Sequence, residues 1–163
     1  MDMMKVEPTK EHAWLHKLVG EWTMEGECGG EPGQPPMKTT GIERVRKLGD
    51  IWVIGEGEGE MPGGGIGRSV MTLGFDPTRG RFVGSWVGSM MNIFWKYDGS
   101  LDASGKVLTL ESDGPNFADG GKTMTKFNDV IEWKSDDHRT LTGRMLVDGK
   151  WTDLMTAHYR RKK

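Results

Sequence analysis

A chain of 163 residues is of single-domain size and long enough to bury roughly two-thirds of the surface its unfolded form exposes. Its formal charge of −2 is spread along the chain, without the basic stripe of a nucleic-acid binder, and no apolar run approaches the roughly 20 residues of a membrane span. A single cysteine, Cys28, excludes an intrachain disulfide. Met1-Asp2-Met3-Met4-Lys5 lacks the apolar core of a signal peptide, so a cytoplasmic protein is expected.

Residues 1–8 are read as a flexible N-terminus. Over 9–19 the apolar residues Ala13, Trp14, Leu15, Leu18 and Val19 form one face of a short helix, with Thr9 as N-cap and Gly20 as its end. Glu11 suits the positive end of the helix dipole. The position three after Thr9 is His12 and not a glutamate or glutamine, so no full capping box is expected. Such a helix cannot stand alone and needs a barrel mouth or a sheet to cover.

From Glu21 onward about ten strands are expected, the first over 21–28. After a Gly/Pro-rich turn, Gly29 to Pro36, the others run near 38–47, 51–60, 68–76, 81–91, 93–100, 106–112, 123–134, 139–147 and 150–160. Leu48-Gly49-Asp50, Asp76-Pro77-Thr78-Arg79-Gly80, Ala103-Ser104-Gly105 and Asp148-Gly149 punctuate them as tight turns. Consecutive hairpins without helical crossovers imply an antiparallel meander, and closing it removes both edges. The expected fold is therefore all-β: an up-and-down barrel of about ten strands with a short N-terminal helix.

Alternation marks the inner face. Met71, Leu73 and Phe75 share one side of their strand, as do Phe82, Gly84, Trp86, Gly88 and Met90 on the next. Phe127, Ile131 and Trp133 do so later, followed by Leu141, Met145 and Val147. In 51–60, Val53, Gly55, Gly57 and Gly59 alternate with Glu56, Glu58 and Glu60. Burying three unpaired carboxylates is costly, so the glycines are placed inside, where they widen the cavity. The 25 glycines exceed the roughly 11 of average usage. They sit among seven tryptophans, which suits a tightly curved sheet better than disorder.

Gly20-Glu21-Trp22 together with a late arginine resembles the calycin group of lipocalins and fatty-acid-binding proteins. In that group a Gly-x-Trp step begins the first strand and a basic residue on the last strand packs across the Trp. The resemblance implies Trp22 and Arg160 as the barrel floor, with a cation–π contact of about 0.5–2 kcal/mol. Over nearly its full length the chain is also similar to the bacterial family of unknown function DUF1579, through Trp14-Leu15…Leu18-Val19-Gly20-Glu21-Trp22, Gly57-Glu58-Gly59-Glu60-Met61-Pro62-Gly63-Gly64, Met71-Thr72-Leu73-Gly74-Phe75-Asp76-Pro77 and Tyr159-Arg160-Arg161. That resemblance implies a fold and no activity.

The functional expectation is a lumen that binds a small hydrophobic or amphipathic ligand, walled by Met71, Phe75, Trp86, Met90, Trp95 and Tyr97. The alternative is a barrel enzyme doing acid/base chemistry through Asp129, His158 or Tyr97. Asp129 lies between Phe127 and Ile131, and Asp153 between Trp151 and Met155. A carboxylate in an apolar lumen has a raised pKa, whereas a β-bulge or an ion pair with Arg144 would turn it outward.

His158 lies two positions before Arg160 and shares its face on a regular strand. Nitrobindin-like barrels bind haem through a late-strand histidine, which makes haem ligation by His158 a further alternative. Trp151, Met155 and Tyr159 mark the opposite face of that strand as the more apolar one, so its inside stays open. No cofactor and no metal site are otherwise expected. His12 and His16 are spaced i, i+4 without a completing cluster, and Gly63-Gly64-Gly65-Ile66-Gly67 precedes no helix that would cradle a phosphate. The basic tail reads as a solvated end, and the outward Val83 and Val87 make a homodimer conceivable.

Overall fold

The computed structural model describes residues 5–29 and 35–163. The turn expected over Gly29 to Pro36 and the N-terminal segment 1–8 therefore fall partly outside the described residues. A helix, α1 (Lys10–His16), precedes ten strands: β1 (Gly20–Cys28), β2 (Met37–Leu48), β3 (Trp52–Glu60), β4 (Ile66–Asp76), β5 (Arg81–Gly88), β6 (Trp95–Leu101), β7 (Val107–Pro115), β8 (Met124–Ser135), β9 (His138–Val147) and β10 (Lys150–Arg161). Each strand pairs antiparallel with its neighbours in sequence, and β1 pairs with β10. The sheet is a closed barrel, as the run of hairpin turns requires once both edges are removed.

One end is plugged. Trp14, Leu15 and Leu18 come down from the helical segment onto Trp22, Val45, Val53, Leu73, Phe82, Leu108, Ile131 and Trp133. The indoles are also anchored by hydrogen bonds: Trp22 Nε1 donates to the Leu18 carbonyl (2.9 Å) and Trp14 Nε1 to the Gly105 carbonyl (2.7 Å). Leu15, Leu18 and Trp22 are almost wholly removed from solvent. Burying a side chain of that size is worth about 1.5–3 kcal/mol, so this plug supplies what a seven-residue helix lacks alone.

The start of α1 departs from expectation. His12 takes the place of the capping-box glutamate: its Nδ1 accepts from the Thr9 backbone N–H (2.9 Å) and lies 3.0 Å from Thr9 Oγ1. Its ring is buried edge-on against Phe75 at 5.9 Å between centroids. An imidazole nitrogen can accept a hydrogen bond as a carboxylate oxygen does. His12 is thereby committed to the helix start.

The floor also differs in one residue. Arg161, not Arg160, lies over Trp22, with its guanidinium carbon 4.2 Å from the ring centroid. Its Nη1 donates to the Val19 carbonyl (2.8 Å) and its Nη2 to the Lys17 carbonyl (3.0 Å), which ties the last strand to the end of the helical segment. Gly20 makes this possible: its φ is +141°, and a Cβ there would lie 2.6 Å from Arg161 Nη1. Arg160 points outward and pairs with Glu25 at 3.8 Å.

The reason is a bulge in β10. Its register against β9 shifts between Asp153 and Met155, so Trp151 and Asp153 face out while Met155, Ala157, Tyr159 and Arg161 face in. In β3 the glycines 55, 57 and 59 face the interior, and Glu56 and Glu58 pair outside with Arg46 and Arg68.

Candidate functional site

Between the plug and the opposite end the barrel encloses a cavity of about 420 Å³. Its upper wall includes Trp86, Trp95, Phe127 and Leu154, which belong to a second apolar cluster that also holds Met145. Trp95 meets Phe127 edge-on at 4.8 Å, and Phe127 meets the half-exposed Phe117 at 5.3 Å, a short aromatic series from lumen to mouth. The mouth is apolar as well: Ile66, Met90, Met91, Phe94 and Met124 are all exposed. Trp95 Nε1 donates to Met91 Sδ at 3.3 Å, a weak acceptor.

Five of the six expected wall residues, Met71, Trp86, Met90, Trp95 and Tyr97, line this cavity. Phe75 does not. It packs against Phe82 at 5.0 Å and against His12, beneath the helix at the plugged end. Alternation placed it on the correct face, but it lies too far along the strand to reach the open space. Met24 and Met155 on β1 and β10, outside those six, line it as well.

Two polar constellations sit in the lumen. The first pairs Glu43 on β2 with Arg139 on β9, Nη2 to Oε1 at 2.5 Å, both buried. The guanidinium is stacked between two rings, 4.6 Å from Trp22 and 4.2 Å from Tyr159. Its Nε has no hydrogen-bond partner among the described residues. Burial and the neighbouring Glu43 charge both push the Tyr159 hydroxyl above its ordinary range, so it stays protonated. Neither Glu43 nor Arg139 was anticipated. Glu43 does alternate in phase with Val45 and Gly41, and an inward charge on each of two strands was the available signal.

The second is Tyr97 on β6 with Asp129 on β8, Oη donating to Oδ2 at 2.5 Å. Burial raises the Asp129 carboxyl above its ordinary range, opposed by the Tyr97 hydrogen bond. Tyr97 is itself pushed well above its ordinary value, by burial first and then by the adjacent carboxylate. Asp129 thus belongs to the interior, whereas Asp153 is outside and paired with Arg144 at 2.9 Å, on the bulge that turns it there.

His158, the third residue expected to join Tyr97 and Asp129, is on the outer wall. Its Nδ1 lies 2.9 Å from His138 Nε2, and the two rings stack at 5.2 Å. The shift in β10 that brings Arg161 inside turns His158 out, so it cannot ligate haem from the lumen. His138 is held below its ordinary pKa, by burial first and then by Arg160 and His158. The terminal cations are engaged with acidic partners: Lys162 with Glu21 at 4.0 Å and Lys163 with Asp137 at 3.1 Å. Gly63, Gly64 and Gly65 form the β3–β4 hairpin tip, all at positive φ. Among the described residues no helix is long and apolar enough to cross a membrane.

A comparison with curated protein sequences returns no match. Among solved structures, Rv2717c from M. tuberculosis superposes with a TM-score of 0.65 at 17% identity, over 96% of this chain and 100% of that one, which shows a shared fold. A barrel described as EF1p2_mFAP2b bound to DFHBI is more distant, with a TM-score of 0.49 and 12% identity over 93% of this chain and 98% of that one. The siderocalin Ex-FABP is more distant again, at 0.40 and 9% over 90% and 71%. The family model described as "Protein of unknown function (DUF1579)" matches residues 7–161, and the chain belongs to that family.

Proposed function

We propose that this barrel binds a small apolar or amphipathic molecule in its lumen. The observation that carries the reading is a cavity of about 420 Å³ walled by indoles, phenols and thioethers, with the Glu43–Arg139 and Tyr97–Asp129 pairs inside and other charged residues at its rim. Ligand pockets are concave and mostly apolar with a small set of placed polar groups, and they span roughly 300–1,000 Å³. The methionines Met24, Met71 and Met155 give the wall side chains that repack around guests of different outline. Gly57 and Gly59 keep one wall bare of side chains and so preserve the volume.

Native mass spectrometry of the purified protein, compared with the denatured mass, tests the proposal. A bound species lost on denaturation is expected. For protein stripped of any such species, titration with the uncharged N-phenyl-1-naphthylamine should quench the lumen indoles with a saturable, one-to-one isotherm. A protein that carries nothing and gives no saturable isotherm overturns the reading.

A further inference from the structure

The charged groups facing the lumen do not balance. Glu43 and Arg139 neutralise each other, and Asp129 is left over. The remaining charged residues along the cavity, Glu58, Glu60, Arg68 and Arg144, are rim residues that also meet solvent, with Glu58 paired to Arg68 and Arg144 to Asp153. The interior therefore carries one surplus carboxylate when Asp129 is ionised.

Arg139 is poorly placed to receive an acidic ligand. It is 1% exposed, sandwiched between Trp22 and Tyr159, and already bonded to Glu43. Its Nη2 is taken by Glu43 and its unpartnered Nε is buried away from the open space, and a ligand carboxylate would enter a lumen that carries a negative surplus when Asp129 is ionised. Like charges in a low-dielectric space are strongly disfavoured.

Asp129 is placed to receive a donor. Tyr97 occupies Oδ2, and Oδ1 has no hydrogen-bond partner among the described residues. The space in front of Oδ1 is kept by Gly143, where a Cβ would lie 3.4 Å from that oxygen. The Ser112 hydroxyl, also on the cavity wall, is a further acceptor. Trp86, Trp95, Tyr97 and Phe127 line the same cavity, and aromatic rings attract a cation.

We propose that the lumen selects an amine borne on an apolar body, with Asp129 Oδ1 accepting its N–H and the ammonium supplying the missing positive charge. This rests on the ligand-binding reading above and assigns its ligand class. An ammonium would hold Asp129 ionised against the burial that otherwise raises its pKa. Of the other groups facing it, Tyr97 and Tyr159 stay protonated and Glu43 stays paired with Arg139, so Asp129 is the group whose charge the ligand changes.

The test is a matched series of decylamine, decanol and decanoate, titrated at pH 7 by isothermal calorimetry against the full chain. A charge-assisted hydrogen bond contributes about 1.5–3 kcal/mol, so decylamine should bind at least tenfold tighter than decanol, with decanoate weakest. Asp129→Asn should reduce the amine-to-alcohol ratio to within about twofold. Gly143→Ala, which places a methyl beside Oδ1 and leaves the charge in place, should lower amine affinity more than alcohol affinity. It answers the question if Asp129→Asn does not fold. Decanol bound as tightly as decylamine, decanoate bound tightest, or a ratio untouched by both variants overturns the amine assignment and leaves the cavity reading standing. Absence of binding by all three compounds removes both.

Discussion

Arg161 lies over Trp22 at 4.2 Å and at the same time donates to the carbonyls of Lys17 and Val19, so a single side chain joins the last strand, the first strand and the end of the helical segment. Its neighbour Arg160 pairs with Glu25 in solvent. Arg161→Ala should therefore cost about 2–3 kcal/mol, from the lost cation–π contact and charge-assisted hydrogen bonds. Arg160→Ala should stay within about 0.5 kcal/mol. Urea denaturation of the two variants checks the contrast, and equal losses would place the tie elsewhere.

Glu43 and Arg139 form a buried pair, and removing one member strands the other. Glu43→Gln should cost about 3–5 kcal/mol, because the guanidinium between Trp22 and Tyr159 then lacks its counter-charge. The double variant Glu43→Leu with Arg139→Met should recover most of that loss. A double variant as weak as the single one would show that the stacking, not the charge pair, dominates.

Asp129 contributes a pH dependence of defined sign. Its carboxyl is raised by burial, so the folded protein holds the proton more tightly than the unfolded chain does. Stability is then greatest below the ordinary carboxylate value of about 3.9 and falls as pH rises through the folded value. Asp129→Asn removes that loss and keeps an acceptor for Tyr97. The variant should melt higher than the parent at pH 7 and lose its advantage below about pH 4. Melting curves across that range decide it, and a gap independent of pH would mean that Asp129 is not the titrating group.

Gly84 and Gly143 predict costs of different size for the same substitution. A Cβ at Gly84 would run into the backbone carbonyl of Thr72, which cannot move without breaking the β4–β5 ladder. At Gly143 the nearest atoms are Met155 Cγ and Sδ at 3.3 Å, on a flexible side chain. Gly84→Ala should cost about 1–3 kcal/mol and Gly143→Ala less than about 1 kcal/mol. Thermal unfolding of the pair is a direct measurement.

Trp86 and Phe75 separate lumen from plug. Trp86→Leu should weaken binding of the uncharged N-phenyl-1-naphthylamine several-fold, because it removes cavity wall. Phe75→Leu should lower the melting temperature and leave that affinity within about twofold, because Phe75 packs on Phe82 and His12. A fluorescence titration of each distinguishes them.

What the sequence determined by itself was whatever depends on local chemistry and on a period of two. Turn residues at Gly49, Gly105 and Asp148-Gly149 delimit strands, and alternation through Met71, Leu73, Phe82, Trp86 and Ile131 marks an inside. The cost of burying Glu56, Glu58 and Glu60 correctly puts the β3 glycines inward. These signals suffice for a closed antiparallel barrel with a helical plug.

Position along the barrel axis and the phase of β10 were decided only by tertiary structure. Alternation says which face a residue is on and not how deep it lies, which is why Phe75 joined the plug while Trp86 joined the lumen. One extra residue, Leu154, reverses every side chain after it, bringing Arg161 in and turning Arg160 and His158 out. The Glu43–Arg139 and Tyr97–Asp129 pairs join strands distant in sequence, and they meet only because the sheet closes and each charge, once enclosed, must find a partner.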